Sequence, residues 1–176
     1  MGTDAPIAGV RRHFATIDGV RQVHYRRAGS GPPVLLLHQS PKSSREQVPL
    51  MQHLMDRFTC IAPDTPGNGN SDPLTLSDPE MADYGDNIAA FLDAIGIDKI
   101  AVYGFHTGAS VGAAFAARHP DRVQIAILNG LVTLNDEERA DILANYLTPF
   151  APQWDGSHLT WLWSRLREQT VVFPWY

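Results

Sequence analysis

Short apolar runs along the chain alternate with segments in which apolar residues recur every three or four positions. The runs predict buried strands and the spaced segments predict amphipathic helices, because side chains alternate in a strand and repeat every 3.6 residues in a helix. Continuous apolar runs, which are typical of central strands covered on both faces, occupy residues 34–37, 58–63, 99–104 and 122–128. Two earlier strands, at residues 10–18 and 20–28, are joined at the hairpin signal Asp18-Gly19.

Helical spacing follows three of these strands. It covers residues 43–57, 78–96 and 106–118, and Pro49 is expected to limit or kink the first of these helices. Strands separated by helices form βαβ units, in which the strands run parallel. The sequence therefore predicts an α/β fold with a mostly parallel sheet and flanking helices.

The character of the chain changes after Leu131. Two helical segments follow, at residues 135–147 and 159–169, and all four tryptophans lie in this part. We therefore divide the chain into an α/β core, residues 1–131, and a helical region, residues 132–176.

Composition and charge narrow the classes of function. The 176 residues carry a net charge of −5, so nothing favours a nucleic-acid partner. A single cysteine excludes an internal disulfide framework, and no apolar run is long enough for a transmembrane helix. The start of the chain lacks the charged-then-apolar order of a signal peptide, so a cytoplasmic location without a membrane partner is the default expectation.

Metal and cofactor sites are not expected. Seven histidines are present, but no pair has the H-x-x-x-H spacing that puts two ligands on one helix face. Neither a nicotinamide nor a flavin fingerprint occurs in the sequence. We therefore predict no metal and no cofactor.

The sequence Gly104-Phe105-His106-Thr107-Gly108 joins a predicted strand to a predicted helix. This Gly-x-[residue]-x-Gly frame is that of a nucleophile elbow, in which the central residue is usually Ser. Glycines are needed at both ends because the strand and the helix pass close together, and the central residue usually has a positive φ, which His tolerates better than most residues do. A central His106 therefore keeps the elbow's geometry and changes its chemistry.

The elbow and three other motifs together resemble those of the α/β-hydrolase family. Residues 35–41 (LLLHQSP) resemble the family's strand followed by H-G-x-P, and residues 64–72 (DTPGNGNSD) resemble its D-x-x-G-x-G-x-S loop. Residues 118–123 (RHPDRV) resemble the A-x-x-x-P-x-x-V run before the family's next strand. The motifs occur in family order over residues 10–130, so the helical region falls where the family inserts a cap over the active site.

The resemblance places His106 at the nucleophile position and implies an oxyanion hole made by the backbone N–H groups of Ser40 and Thr107. In a buried site at a helix N-terminus we expect the neutral imidazole to be favoured. Three roles stay open for it: a general base for water, a nucleophile that forms an acyl-imidazole, and a group that only binds a ligand or fills the site.

Substrate contacts are expected from two parts of the chain. Gln39 takes the position of the family's usual glycine, and Trp154 and Trp161 lie in the implied cap. The tryptophans indicate an apolar or aromatic small-molecule substrate, and packing of the cap onto the core is the alternative explanation for them.

Two other polar residues near the implied site are expected to be structural. Asp64 precedes the elbow in the chain, so we expect it to hydrogen-bond the backbone of its own loop rather than to act as the catalytic acid. The resemblance implies that His38 likewise bonds nearby backbone groups.

In the family, the catalytic acid and the catalytic His follow two further strands, and no segment up to Tyr176 supplies them. We expect these groups to come from residues outside this sequence. We also expect the apolar strand at residues 122–128 to be covered by cap residues, by a second copy of the chain or by a separate C-terminal segment.

The resemblance thus implies a hydrolase that acts on a small ester, amide or related carbonyl substrate, with His106 in place of the usual nucleophile. One alternative is a non-catalytic module that binds a small ligand, because the usual nucleophile is missing. The other alternative is a truncated, inactive hydrolase.

Overall fold

The computed structural model describes residues 7–146, 151–168 and 171, and its strands form one six-stranded sheet. The strands are β1 (Val10–Ile17), β2 (Arg21–Ala28), β3 (Pro33–Leu37), β4 (Thr59–Pro63), β5 (Ile100–Phe105) and β6 (Val123–Asn129). Their order across the sheet is β1-β2-β4-β3-β5-β6. β3 runs parallel to β4 and β5, β5 runs parallel to β6, and β2 is antiparallel to β1 and β4. The predicted α/β fold with a mostly parallel sheet is confirmed.

The α-helices of the described residues are α1 (Val48–Leu54), α2 (Met81–Ala94), α3 (Thr107–Arg118), α4 (Asp136–Asp141) and α5 (Ser157–Glu168). Short 3₁₀ helices cover Ser44–Gln47 and Pro120–Arg122, and a π-helix covers Ile142–Tyr146. The helix predicted at residues 43–57 therefore begins as a 3₁₀ helix. Pro49 lies in the first turn of α1, where a missing N–H is tolerated, so it limits this helix and does not kink it.

The centre of the sheet is covered on both faces. Leu35 of β3 packs in one apolar cluster with Phe91 of α2 and Phe115 of α3. The next residue, Leu36, belongs to a second cluster that contains Met51 of α1. Because side chains on both faces of β3 are buried, its sequence is continuously apolar rather than alternating.

The backbone divides into two compact units, Met1–Val132 and Thr133–Tyr176. The first unit contains the whole sheet with α1 to α3, and the second contains α4 and α5. This division lies next to the boundary predicted from the sequence, and the role of the second unit as a cap stays a prediction. Within the described residues of either unit, no helix has the length and hydropathy needed to span a membrane.

β6 forms one edge of the sheet and is much more exposed than the strands at its centre. It pairs with β5, and no other strand among the described residues pairs with it. The side chains of Ile125 and Ile127 are 58% and 57% exposed. The predicted cover of this edge stays a prediction.

Candidate active site

The elbow joins β5 to α3, and its backbone has the predicted geometry. His106 has a φ of +52° and a ψ of −116°, a region that glycine enters far more easily than other residues. The His106 N–H donates to the carbonyl oxygen of Asn129 at 2.8 Å, and the His106 carbonyl oxygen accepts from the Ala109 N–H at 2.8 Å. Backbone hydrogen bonds therefore hold the central residue of the elbow on both sides.

The two glycines of the elbow allow its backbone to pack very closely. A Cβ atom at Gly104 would lie 2.3 Å from the carbonyl oxygen of Gly108. A Cβ atom at Gly108 would lie 2.5 Å from the carbonyl oxygen of Leu37 and 2.7 Å from that of His38. Real Cβ atoms do not come this close to backbone atoms, so both positions require glycine. The contact with Leu37 and His38 also shows that the first turn of α3 packs against the end of β3.

The His106 side chain is exposed, so the predicted burial at this position is wrong. The ring of Phe105 lies edge-on to the imidazole, with 6.3 Å between the ring centroids. No group in the described part of the chain makes a hydrogen bond to the imidazole nitrogens. The fold therefore fixes the backbone of His106 and leaves its side chain available to an external molecule.

His38 follows β3 and is buried. Its Nδ1 lies 2.8 Å from the carbonyl oxygen of Gln39, and its Nε2 lies 3.0 Å from the backbone nitrogen of Thr65. The carbonyl oxygen can only accept and the N–H can only donate, so we assign the imidazole proton to Nδ1. This network agrees with the structural role predicted for His38.

Asp64 follows β4 and is buried. Its Oδ1 accepts a hydrogen bond from the Ser44 N–H at 2.7 Å, and its Oδ2 accepts from the Asn70 N–H at 2.9 Å and lies 2.9 Å from His24 Nδ1. Burial raises the pKa of this carboxyl, but its hydrogen bonds outweigh burial and lower the pKa to about 2. The predicted bond to its own loop is confirmed through Asn70, whereas the contacts with His24 and Ser44 were not predicted.

Glu46 lies in the 3₁₀ helix before α1 and contacts the turn at residues 39–42, which we call the β3 turn. Its carboxylate accepts hydrogen bonds from the backbone and the side chain of Gln39 and from Lys42. Partial burial raises the pKa of Glu46, but the bonds from Lys42 and Gln39 outweigh burial and hold the pKa below its ordinary value. No local motif in the sequence marks Glu46, so its role was not predicted.

The predicted site residues of the core lie in adjacent segments. β3 and β5 are parallel neighbours, so the turns that follow their carboxyl ends lie side by side. Ser40 and Gln39 belong to the first of these turns, and His106 and Thr107 belong to the second. The arrangement is compatible with two N–H donors beside one imidazole.

The two tryptophans that are predicted to contact a substrate belong to the second unit. Trp154 precedes α5 and is fully exposed. Trp161 lies in α5 and is 39% exposed, and the guanidinium of Arg165 lies 5.4 Å from the centroid of its ring. Their predicted contact with a substrate stays a prediction.

The buried titratable groups near the loops are engaged with other protein groups. His24, His38 and Asp64 are all at most 2% exposed. Nε2 of His24 is buried and has no hydrogen-bond partner among the described residues. In the same part of the chain, no three His, Cys, Asp or Glu side chains are placed so that they could hold a metal ion.

Comparison with known proteins connects these observations to a family. Residues 32–157 match the model of the alpha/beta hydrolase fold family. The chain is 35% identical over 132 residues to the soluble epoxide hydrolase of Corynebacterium sp. strain C12. The aligned region covers 72% of this chain and 45% of that protein. The chain is also 33% identical over 107 residues to haloalkane dehalogenase 2 of Mycobacterium bovis, and this alignment covers 61% of this chain and 37% of that protein.

A solved structure, that of the epoxide hydrolase CorEH without ligand, is similar over 92% of this chain and 59% of its own length. The TM-score is 0.66 and the sequence identity is 27%. The match spans less than half the length of each of the two curated relatives named above.

Proposed function

The chain belongs to the alpha/beta hydrolase fold family, and we propose that it forms part of a hydrolase that acts on a small ester, amide or related carbonyl substrate. The observation that carries the proposal is His106, which stands at the elbow with a positive φ and an exposed imidazole that makes no hydrogen bond to the residues that the structure describes. A non-glycine residue in such a conformation costs of order 1–3 kcal/mol, and this kind of strain clusters at functional sites.

A neutral imidazole at the elbow can promote hydrolysis by two routes. It can take a proton from the water molecule that attacks the carbonyl carbon, or it can attack this carbon itself and form an acyl-imidazole that water then hydrolyses. In both routes the carbonyl oxygen becomes negatively charged. The N–H groups of Ser40 and Thr107 would stabilise this charge by hydrogen bonding.

Replacement of His106 by Ala in the full chain tests the role of the imidazole. We expect hydrolysis of p-nitrophenyl acetate and longer p-nitrophenyl esters to fall by about 10²–10⁴-fold, the usual contribution of a positioned acid or base. His53→Ala is the matched control, because His53 is also exposed but lies in α1. Unchanged turnover by the His106→Ala variant would overturn the proposal.

The two routes differ in their intermediate. Attack by His106 forms a covalent acyl-enzyme, whereas activation of water does not. Mass spectrometry of a reaction stopped rapidly with acid would detect an acyl group on the peptide that contains His106 in the first case. An unmodified peptide during steady turnover would identify His106 as a general base.

We also propose that Gln39, Trp154 and Trp161 contact the substrate. Both indole rings are accessible to a ligand in the second unit, and an aromatic or apolar substrate would change their fluorescence. Trp154→Phe and Trp161→Phe should each remove part of the change observed on saturation with a p-nitrophenyl ester. A fluorescence spectrum that does not respond to any ester would contradict the two tryptophan contacts.

A second candidate function is a non-catalytic module that binds a small ligand. It is favoured by the absence of Ser, Cys or Asp, the usual nucleophiles, at the centre of the elbow, where His106 stands. Tight binding of a small apolar ligand without any turnover would support this module. Turnover that depends on His106 would exclude it.

We further propose that the edge strand β6 is covered in the working protein, by a second copy of the chain or by a separate segment. Residues of α1, β3, β5 and β6 line an apolar cleft of about 430 Å³ that includes Ile125 and Ile127. An exposed apolar edge favours pairing with another chain. Light scattering should therefore detect association of the isolated chain, and Ile127→Lys should reduce it. A stable wild-type monomer with a solvated β6 would overturn this proposal.

A further inference from the structure

The β3 turn is tied to Glu46 at both of its ends. The Glu46 carboxylate accepts hydrogen bonds from the Gln39 backbone N–H at 3.0 Å and from the Gln39 side-chain amide at 2.7 Å. It also accepts a hydrogen bond from the Lys42 ammonium at 2.8 Å. The turn closes where the Lys42 N–H donates to the Gln39 carbonyl oxygen at 3.0 Å. One carboxylate therefore holds the first and the last residue of the turn.

These contacts leave one backbone donor of the β3 turn for an external molecule. The N–H groups of Gln39 and Lys42 are engaged, and Pro41 has no N–H. The Ser40 N–H makes no hydrogen bond with any residue that the structure describes. It is therefore the donor that remains for the carbonyl oxygen of a substrate, which supports the oxyanion role proposed for Ser40.

The same contacts fix the orientation of the Gln39 amide. A carboxylate only accepts hydrogen bonds, so the NH₂ group of Gln39 faces Glu46. The amide oxygen, Oε1, then points away from Glu46, and it accepts no hydrogen bond from the described residues. Consecutive Cα atoms are about 3.8 Å apart. Gln39 therefore offers an unused acceptor on the residue that precedes Ser40.

We propose that Glu46 is a positioning residue that turns the Gln39 amide oxygen towards the substrate, and that Gln39 selects substrates with an O–H or N–H group next to their carbonyl. This inference rests on the proposed hydrolase function and narrows its substrate class. The favoured class consists of 2-hydroxy carbonyl compounds and amides that carry an N–H, rather than simple esters. A glycine at position 39, as in the family motif, would offer no such acceptor.

Binding of two ketones that cannot be hydrolysed tests the inference in the full chain without any need for turnover. 2-Hydroxyacetophenone has an O–H next to its carbonyl, and 2-methoxyacetophenone has a methyl ether at the same place. We expect the wild-type chain to bind the hydroxy ketone about tenfold more tightly, because only this ketone donates a hydrogen bond to Gln39. Calorimetric titration measures both dissociation constants.

Three variants test whether Gln39 and Glu46 cause the preference for the hydroxy ketone. Gln39→Met has a side chain of similar length without the acceptor, so the two ketones should bind it within about twofold of each other. Glu46→Gln both donates and accepts, so it no longer fixes the Gln39 amide and should reduce the preference. Lys42→Met is the matched control, because it removes one hydrogen bond to Glu46 and leaves both bonds from Gln39.

Several results would overturn the inference. Equal affinities of the wild-type chain for the two ketones, or binding of neither, would do so, and so would a preference that survives Gln39→Met. A preference that is unchanged by Glu46→Gln would exclude the positioning role of Glu46. Circular dichroism checks that each variant folds, and Gln39→Met still decides the question if Glu46→Gln does not fold.

Failure of the proposed hydrolase function would be recognised separately. Turnover of p-nitrophenyl acetate reports on His106, whereas the ratio of the two ketone affinities reports on Gln39. An inactive chain that still prefers the hydroxy ketone would contradict the hydrolase function and support the selection of ligands by Gln39. An active chain without this preference would support the proposed hydrolase function and contradict the inference about Gln39.

Discussion

The β3 turn and the elbow lie side by side, but different forces hold them. The β3 turn and the loops around it are held by side chains, above all by the carboxylates of Glu46 and Asp64. The elbow is held by its backbone, through close glycine contacts and the hydrogen bonds of His106. The first region therefore depends on charge and pH, and the second depends on steric fit. The His106 side chain makes no hydrogen bond to the described residues, so it is available for chemistry.

Gly108→Ala should give the largest loss of stability, because it disrupts the close backbone packing of the elbow. The new Cβ would collide with the backbone carbonyl of Leu37, and overpacking of this kind should cost about 3 kcal/mol of unfolding free energy. Gly112→Ala, in the same helix, is the matched control. Its Cβ would meet only side chains, at 3.2 Å and beyond, and alanine favours the helix by about 1 kcal/mol.

Urea unfolding of the two glycine variants at neutral pH measures this difference. We expect Gly112→Ala to stay close to the wild type while Gly108→Ala is clearly less stable. Equal losses in both variants would contradict the close backbone contact between α3 and the end of β3.

Asp64→Asn should give the next largest effect, because it removes the charge that holds the loops after β3 and β4. A pKa lowered from 3.8 to about 2 corresponds to about 2 kcal/mol of stabilisation at neutral pH. Asp56→Asn is the control, because Asp56 is an exposed carboxylate. Urea unfolding should show a loss of about this size for Asp64→Asn and a small change for Asp56→Asn. Equal stabilities of Asp64→Asn and the wild type would contradict the anchoring role of Asp64.

The backbone turns could be predicted from the sequence, because their conformation depends on residues that are adjacent in the chain. Asp18 and Gly19 form the predicted hairpin turn, and both have a positive φ. The elbow's glycines and the positive φ of His106 also follow from one short motif, because a strand that turns directly into a helix leaves no space for side chains there.

The side-chain networks could not be predicted from the sequence, because they join residues that only the tertiary fold brings together. His24 and Asp64 are 40 positions apart. Gln39 lies in the β3 turn, and Glu46, 7 positions later, lies in a 3₁₀ helix. Neither pair has a local motif that marks it. The exposure of His106 was missed for the same reason, because burial depends on neighbours and not on the elbow motif.

The pH dependence of stability should also distinguish the β3 turn and its loops from the elbow, with a smaller change in unfolding free energy than the substitutions above. The stabilisation by Asp64 is fully present above its unfolded pKa, near 3.8, and is lost as the pH falls through its folded pKa of about 2. The difference in unfolding free energy between the wild type and Asp64→Asn should therefore fall by about half between pH 6 and pH 3. The steric difference between the wild type and Gly108→Ala should not change over this range. Parallel pH profiles for both variants would contradict the distinction.

His106→Gly should give the smallest effect, and its sign should be opposite to that of the other variants. Glycine adopts the backbone angles of His106 without strain, and this gain exceeds the greater entropy of glycine in the unfolded chain, so stability should rise by about 1 kcal/mol. His106→Ala lacks the imidazole but keeps the strain, so it should not be stabilised. His53→Gly, within α1, should lose stability because glycine weakens a helix. A stable but inactive His106→Gly variant would show that the elbow keeps a strained histidine for its chemistry, whereas a loss of stability would mean that the imidazole contributes to the fold.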